Sequence, residues 1–125
     1  MYNARVNEGD YSGVVVIKEP IGFEQLKAMP ACWFGDMAKA VVDVRLRLIA
    51  LGAELHADEE RVLIESGSEP QDLWGINIYV DRPKSEWVEF DSMINIRPSQ
   101  GNRSRYVEDA AIRQNLVDIV NSLIE

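Results

Sequence analysis

Between Arg97 and Arg105 the sequence RPSQGNRSR places three guanidinium groups and two hydroxyls in nine residues of a chain whose net charge is −8. Guanidinium forks match carboxylates and phosphates. Gly101-Asn102 tolerates the positive φ angles that turn backbone N–H groups towards an anion. A helix start just downstream adds a favourable dipole. Arg97, Gln100, Asn102, Arg103 and Arg105 are therefore the expected binding residues for an anionic small molecule or an acidic protein segment. The stretch lacks the second glycine and the lysine of a phosphate loop. Ion pairing of the same arginines with the chain's own Asp91, Glu108 and Asp109 is the competing use, and both stay open.

A second cluster is Glu54-Leu55-His56-Ala57-Asp58, which holds the chain's one histidine. In an extended segment Glu54, His56 and Asp58 share a face. An imidazole among carboxylates can bind a divalent cation or act as a base. With Asp91 added, Glu54, His56, Asp58 and Asp91 make the alternative site, that of a metal-dependent hydrolase-like enzyme. One histidine and one cysteine fall short of the usual zinc donor set, and Asp58 as the N-cap of a following helix explains the same residues more simply. No bound cofactor is expected. A third polar set comprises Asn77, Tyr79, Glu89, Asp91, Met93 and Asn95, on the outer face of a hairpin. It is either solvated or lines a shallow cleft with the arginine stretch at its rim.

Ser99 and Ser104 have no histidine nearby in sequence and no nucleophile-elbow context. Trp33, Trp74 and Trp87 read as packing residues. Cys32 has no partner for an internal disulfide and reads as a buried thiol, which fits a reducing, cytoplasmic setting.

Composition bounds the rest. With 125 residues, 46% hydrophobic and 27% charged, the chain suits one unaided core. Its 21 acids against 13 bases disfavour broad nucleic-acid binding. No apolar run approaches the roughly 20 residues that span a bilayer. Residues 1–12 read as a flexible leader without the features of a secretory signal, ahead of a single domain over 13–125.

The elements that must position these residues follow from periodicity. Gly13 to Lys18 is a β-branched strand closed by Glu19-Pro20. Ile21 to Trp33 reads as a helix that Pro30 ends or kinks. From Ala38 the period is two, and it changes phase near residues 45–49. That predicts a hairpin, with one helix over 38–51 as its competitor. Asp58 to Glu65 is a short helix stopped by Gly67. Trp74 to Val80 and Trp87 to Arg97 form a second hairpin, with Val88, Phe90, Ile94 and Ile96 facing inward. Ile112, Leu116, Ile119, Val120 and Leu123 mark a final helix after Asp109, which also pairs with Arg113 at helix spacing. The order β-α-β-β-α-β-β-α implies an α+β fold, a mostly antiparallel sheet of about five strands with helices on one face.

Several stretches carry a resemblance. Phe34 to Asp43 (FGDMAKAVVD), Gly52 to Asp58 (GAELHAD), Asp72 to Asn77 (DLWGIN), Glu89 to Ser104 (EFDSMINIRPSQGNRS) and Val107 to Asp109 (VED) resemble an uncharacterised family of prokaryotic conserved hypothetical proteins, a domain of unknown function. The likeness runs from about Val15 to the C-terminus. It implies no activity, cofactor or substrate. Family members usually show paired glycines where this chain has Gly52-Ala53, and a glycine near Arg45-Leu46-Arg47. The expectation is a small cytoplasmic binding module built on the 97–105 loop. The enzyme above is the alternative, and a structural homo-oligomer, such as a homodimer joined at an edge strand, is the third reading.

Overall fold

The computed structural model describes residues 4–6, 13–29 and 32–125. Its strands are β1 (Ala4–Val6), β2 (Val15–Ile17), β3 (Met37–Asp43), β4 (Leu48–Leu51), β5 (Leu73–Tyr79) and β6 (Val88–Glu89). Its helices are α1 (Phe23–Lys27), α2 (His56–Glu65) and α3 (Ala110–Leu123). Among the described residues the strands make one antiparallel sheet in the order β1-β2-β4-β3-β5-β6. The fold is α+β. Residues Ala4–Val6, expected within a flexible leader, pair with β2 as an edge strand. Pro30, expected to end the first helix, lies outside the described residues, and that helix is confined to Phe23–Lys27.

The phase change near residue 45 is a hairpin turn. Asp43 Oδ1 accepts the N–H groups of Arg45 and Leu46, each at 2.8 Å, and Arg47 adopts a positive φ of 56°. A carboxylate that caps its own turn competes with helix for the backbone, so β3 and β4 fold back on each other. Alternation then sorts the side chains. Ala40, Val42, Ile49, Leu51, Trp74, Ile76 and Ile78 pack on one face with Leu26 of α1 and Leu116, Ile119, Val120 and Leu123 of α3. Val16, Val41, Leu48, Ala50 and Leu73 pack on the other with Val62 and Leu63 of α2. Helices therefore cover both faces, not one. The sequence spreads apolar residues over both phases of β2 and β4, and a sheet that is apolar on both sides needs two covers.

The second face matters for function. There β3 and β5 place Lys39 directly opposite Asn77, and β6 places Glu89 opposite Asn77 in turn. The apolar patch under α2 thus gives way to a polar row as the sheet runs towards β6.

The long strand expected over Trp87 to Arg97 stops after two residues. In the antiparallel register Gly75 would meet Asp91 next, but its backbone is already taken. The Asn95 carboxamide accepts the Gly75 N–H at 2.8 Å and donates to the Gly75 carbonyl at 3.0 Å. One side chain supplies both hydrogen bonds that a strand residue would have made. The absent side chain of Gly75 leaves the space for this, since a Cβ there would lie 2.5 Å from Ser92 Cβ. Ser92 also caps the short 3-10 turn Met93–Asn95 by accepting the N–H of Ile94.

Both major helices end as their sequences direct. Asp109 caps α3 by accepting from Ala111 and Ile112. Arg113, expected to pair with Asp109, donates instead to the carbonyls of Val107 and Glu108. Gly67, at φ 114°, closes α2 with bonds from Gly67 N–H to Ile64 and from Ser68 N–H to Leu63, the paired pattern of a left-handed glycine stop. Among the described residues no helix is long and apolar enough to cross a membrane.

Candidate functional site

The arginine stretch is largely consumed in building itself. The Arg97 guanidinium donates to the carbonyls of Pro70 and Leu73 and to Gln100 Oε1, and lies 4.2 Å over the Trp74 ring. The Gln100 amide donates to the Gln71 carbonyl. Asn102 is buried, and its Nδ2 reaches the carbonyls of Asn95, Ser104 and Tyr106 while its Oδ1 accepts the Glu108 N–H. Among the described residues Arg103 makes its hydrogen bond through the backbone N–H, which donates to Glu108 Oε2. Glu108 is held below the usual carboxylate range by the Ser104 hydroxyl, then by that Arg103 N–H. Arg105 differs. Its Nε meets Asp91 Oδ1 at 2.6 Å, and its side chain forms the wall of a cavity.

That cavity, of about 220 Å³, lies on the α2 side of the sheet. Met37 and Lys39 of β3 and Asn77 of β5 make its floor, and Asp91 to Ile94 with Arg105 make one wall. The start of α2, from Leu55 to Ala57, makes the other. Helix α2 begins at His56 and not at Asp58, which sits in its first turn and pairs with Arg61 at 3.7 Å. The N-cap position is Leu55, whose side chain has no acceptor for the first N–H groups. These N–H groups therefore sit beside the cavity without a side-chain partner from the cap.

His56 is buried against the sheet and bonds the Ile76 carbonyl through Nε2 at 2.8 Å. A carbonyl only accepts, so Nε2 carries the hydrogen and Nδ1 keeps its lone pair. Burial lowers the imidazole pKa, with the Lys39 and Arg105 charges adding to the effect and the Ile76 bond and Asp91 opposing it. The ring is neutral at pH 7.

Asn77 donates through Nδ2 to Glu89 Oε1 at 2.8 Å and to the Asp91 carbonyl at 3.3 Å, while its buried Oδ1 has no partner among the described residues. The Lys39 ammonium makes no hydrogen bond or ion pair among the described residues. One turn into α2, Glu59 is fully buried, with Oε2 accepting the Ala53 N–H at 3.0 Å and Oε1 unpartnered. Desolvation pushes its carboxyl well above the ordinary value, while the Ala53 bond and Lys39 pull it back.

Of the residues singled out in the sequence, the structure brings His56, Asp91 and Arg105 to one cavity. Glu54 and Asp58 do not line it, nor do Arg97, Gln100, Asn102 and Arg103. No group of three or more His, Cys, Asp or Glu side chains arranged to hold a metal is present among the described residues. The polar hairpin face does line a shallow cleft, through Asn77, Asp91 and Met93, with Arg105 beside them. Sequence reasoning missed Lys39, one polar position in the alternating stretch that starts at Ala38. Its pairing with Asn77 becomes visible only once the β3–β5 register is known. Cys32 is buried, and that burial raises its thiol pKa to about 11, as expected of an inert thiol.

Comparison with known proteins adds a family and no activity. The family model described as a protein of unknown function (DUF5674) matches residues 15–123. No curated protein and no solved structure matches the chain.

Proposed function

We propose, for a chain that belongs to this family of unknown function, that it is a small binding module which holds one organic anion in the cavity at the start of α2. The observation that carries this reading is the Lys39 ammonium on the cavity floor, without a carboxylate in ion-pairing distance among the described residues. A half-covered ammonium beside a cavity and short of a carboxylate is a group that an entering anion compensates. The uncapped N–H groups of α2 favour the same sign of ligand. Arg105, fixed by Asp91, presents its remaining guanidinium nitrogens from the facing wall. This keeps the anion-binding function expected from the sequence but moves its centre to Lys39, His56, Asn77 and Arg105. The buried unpaired Cys32 supports a reducing, cytoplasmic setting.

Calorimetric titration with small carboxylates tests the assignment. Lys39→Ala is expected to weaken binding by at least about tenfold, the loss of one charge-assisted contact. Arg103→Ala is expected to leave it unchanged. The reverse pattern returns the site to the 97–105 loop.

A further inference from the structure

Resting on the anion site just proposed, we infer that its occupant is a small 2-hydroxy monocarboxylate with a short aliphatic group. Charge sets the valence. The lining side chains carry two cations, Lys39 and Arg105, against one carboxylate, Asp91, so one positive charge remains (two minus one). Glu89, next in the polar row, turns its Oε1 to Asn77 and to the Tyr79 hydroxyl and does not line the cavity. A single carboxylate balances the excess, whereas a phosphate dianion or a dicarboxylate exceeds it.

The unmet hydrogen-bonding group sets the second function. Among the lining side chains His56 keeps one acceptor without a donor among the described residues, Nδ1, because its ring is committed at Nε2. The Asn77 Oδ1 also lacks a donor among the described residues, but that atom is enclosed and is not the contact a ligand makes. A hydroxyl beside the ligand carboxylate brings the one missing hydrogen to the His56 nitrogen. An ammonium group would also bring one, but it would enter against Lys39 and Arg105.

The remaining wall is apolar. Met37 and Ile94 line it, and Leu55 and Met93 stand at the rim, 56% and 64% exposed. An aliphatic group covers part of that surface. The volume lies below the roughly 300–1,000 Å³ of drug-sized sites, which limits the ligand to a small acid.

The test uses the full chain and a matched series by calorimetry: both enantiomers of 2-hydroxy-3-methylbutanoate, 3-methylbutanoate, valine and inorganic phosphate. One hydroxy-acid enantiomer is expected to bind at least about tenfold more tightly than 3-methylbutanoate, with valine and phosphate weaker still. Lys39→Ala is expected to weaken the hydroxy acid by a similar factor. Equal or tighter binding of 3-methylbutanoate, valine or phosphate overturns the hydroxy-acid assignment and leaves the anion pocket standing. No binding by any member, or affinity unchanged in Lys39→Ala, overturns both.

Discussion

Asn102→Ala is expected to destabilise the protein by roughly 3–5 kcal/mol, because several buried backbone groups lose their partner at once. The Asn102 amide serves the carbonyls of Asn95, Ser104 and Tyr106 and the N–H of Glu108. Alanine leaves all four without it in a region too enclosed for water to replace it freely. The same carboxamide fixes the path of the chain from the Met93–Asn95 turn to Arg105, so its loss also frees Arg105 from the cavity wall. Urea denaturation monitored by tryptophan fluorescence reads the first effect. Gln100→Ala, at an exposed position one turn away, is expected to stay within about 0.5 kcal/mol. A loss below about 1 kcal/mol for Asn102→Ala would mean that the segment is held by something other than this side chain.

Glu59→Gln is expected to stabilise the protein increasingly as pH rises above the ordinary carboxyl pKa of 4.5. Burial holds the folded carboxyl protonated after the unfolded chain has released its proton. Its contribution to stability is fully present below 4.5 and is lost as pH rises through the folded pKa, by up to about 1.4 kcal/mol per unit for one proton. Glutamine keeps the oxygen that accepts from Ala53 and removes the titration. His56 works in the opposite sense. Its lowered pKa contributes stability that is present above 6.5 and is lost as pH falls below that value. One slope lies above 4.5 and the opposing one below 6.5, so the informative quantity is variant minus wild type at each pH. That difference should widen from pH 4.5 upward in chemical denaturation. A difference that stays constant with pH would show that Glu59 ionises in the fold as it does in water.

The elements were legible wherever the hydrophobic period was unbroken. β3 and β4 could be read from alternation and its change of phase, and α3 from the spacing of Leu116, Ile119, Val120 and Leu123. Two features escaped for physical reasons. The Trp87 to Arg97 stretch has the residue types of a strand, yet Asn95 satisfies Gly75 more locally than a continued ladder would. A side chain standing in for a backbone leaves no periodic trace. The arginine stretch was chemically conspicuous but mostly self-directed, since Arg97 finds backbone carbonyls and an aromatic face that no sequence separation reveals. Only Arg105, with its Asp91 partner, answers to both readings made of it, as an internal ion pair and as part of a cleft. Lys39 was invisible for the converse reason. Its type and setting are ordinary, and its meaning comes from Asn77 opposite and the start of α2 above.

The claim on which the functional account depends is that an anion enters at the start of α2. Two-dimensional amide NMR during titration with 2-hydroxy-3-methylbutanoate addresses it directly, because the backbone N–H groups that would meet the carboxylate are themselves the reporters. The largest shifts are expected at His56 and Ala57, at Lys39 and Asn77 on the sheet, and at Arg105. Shifts concentrated in residues 97–103 with α2 unmoved, or none at millimolar ligand, would contradict the account.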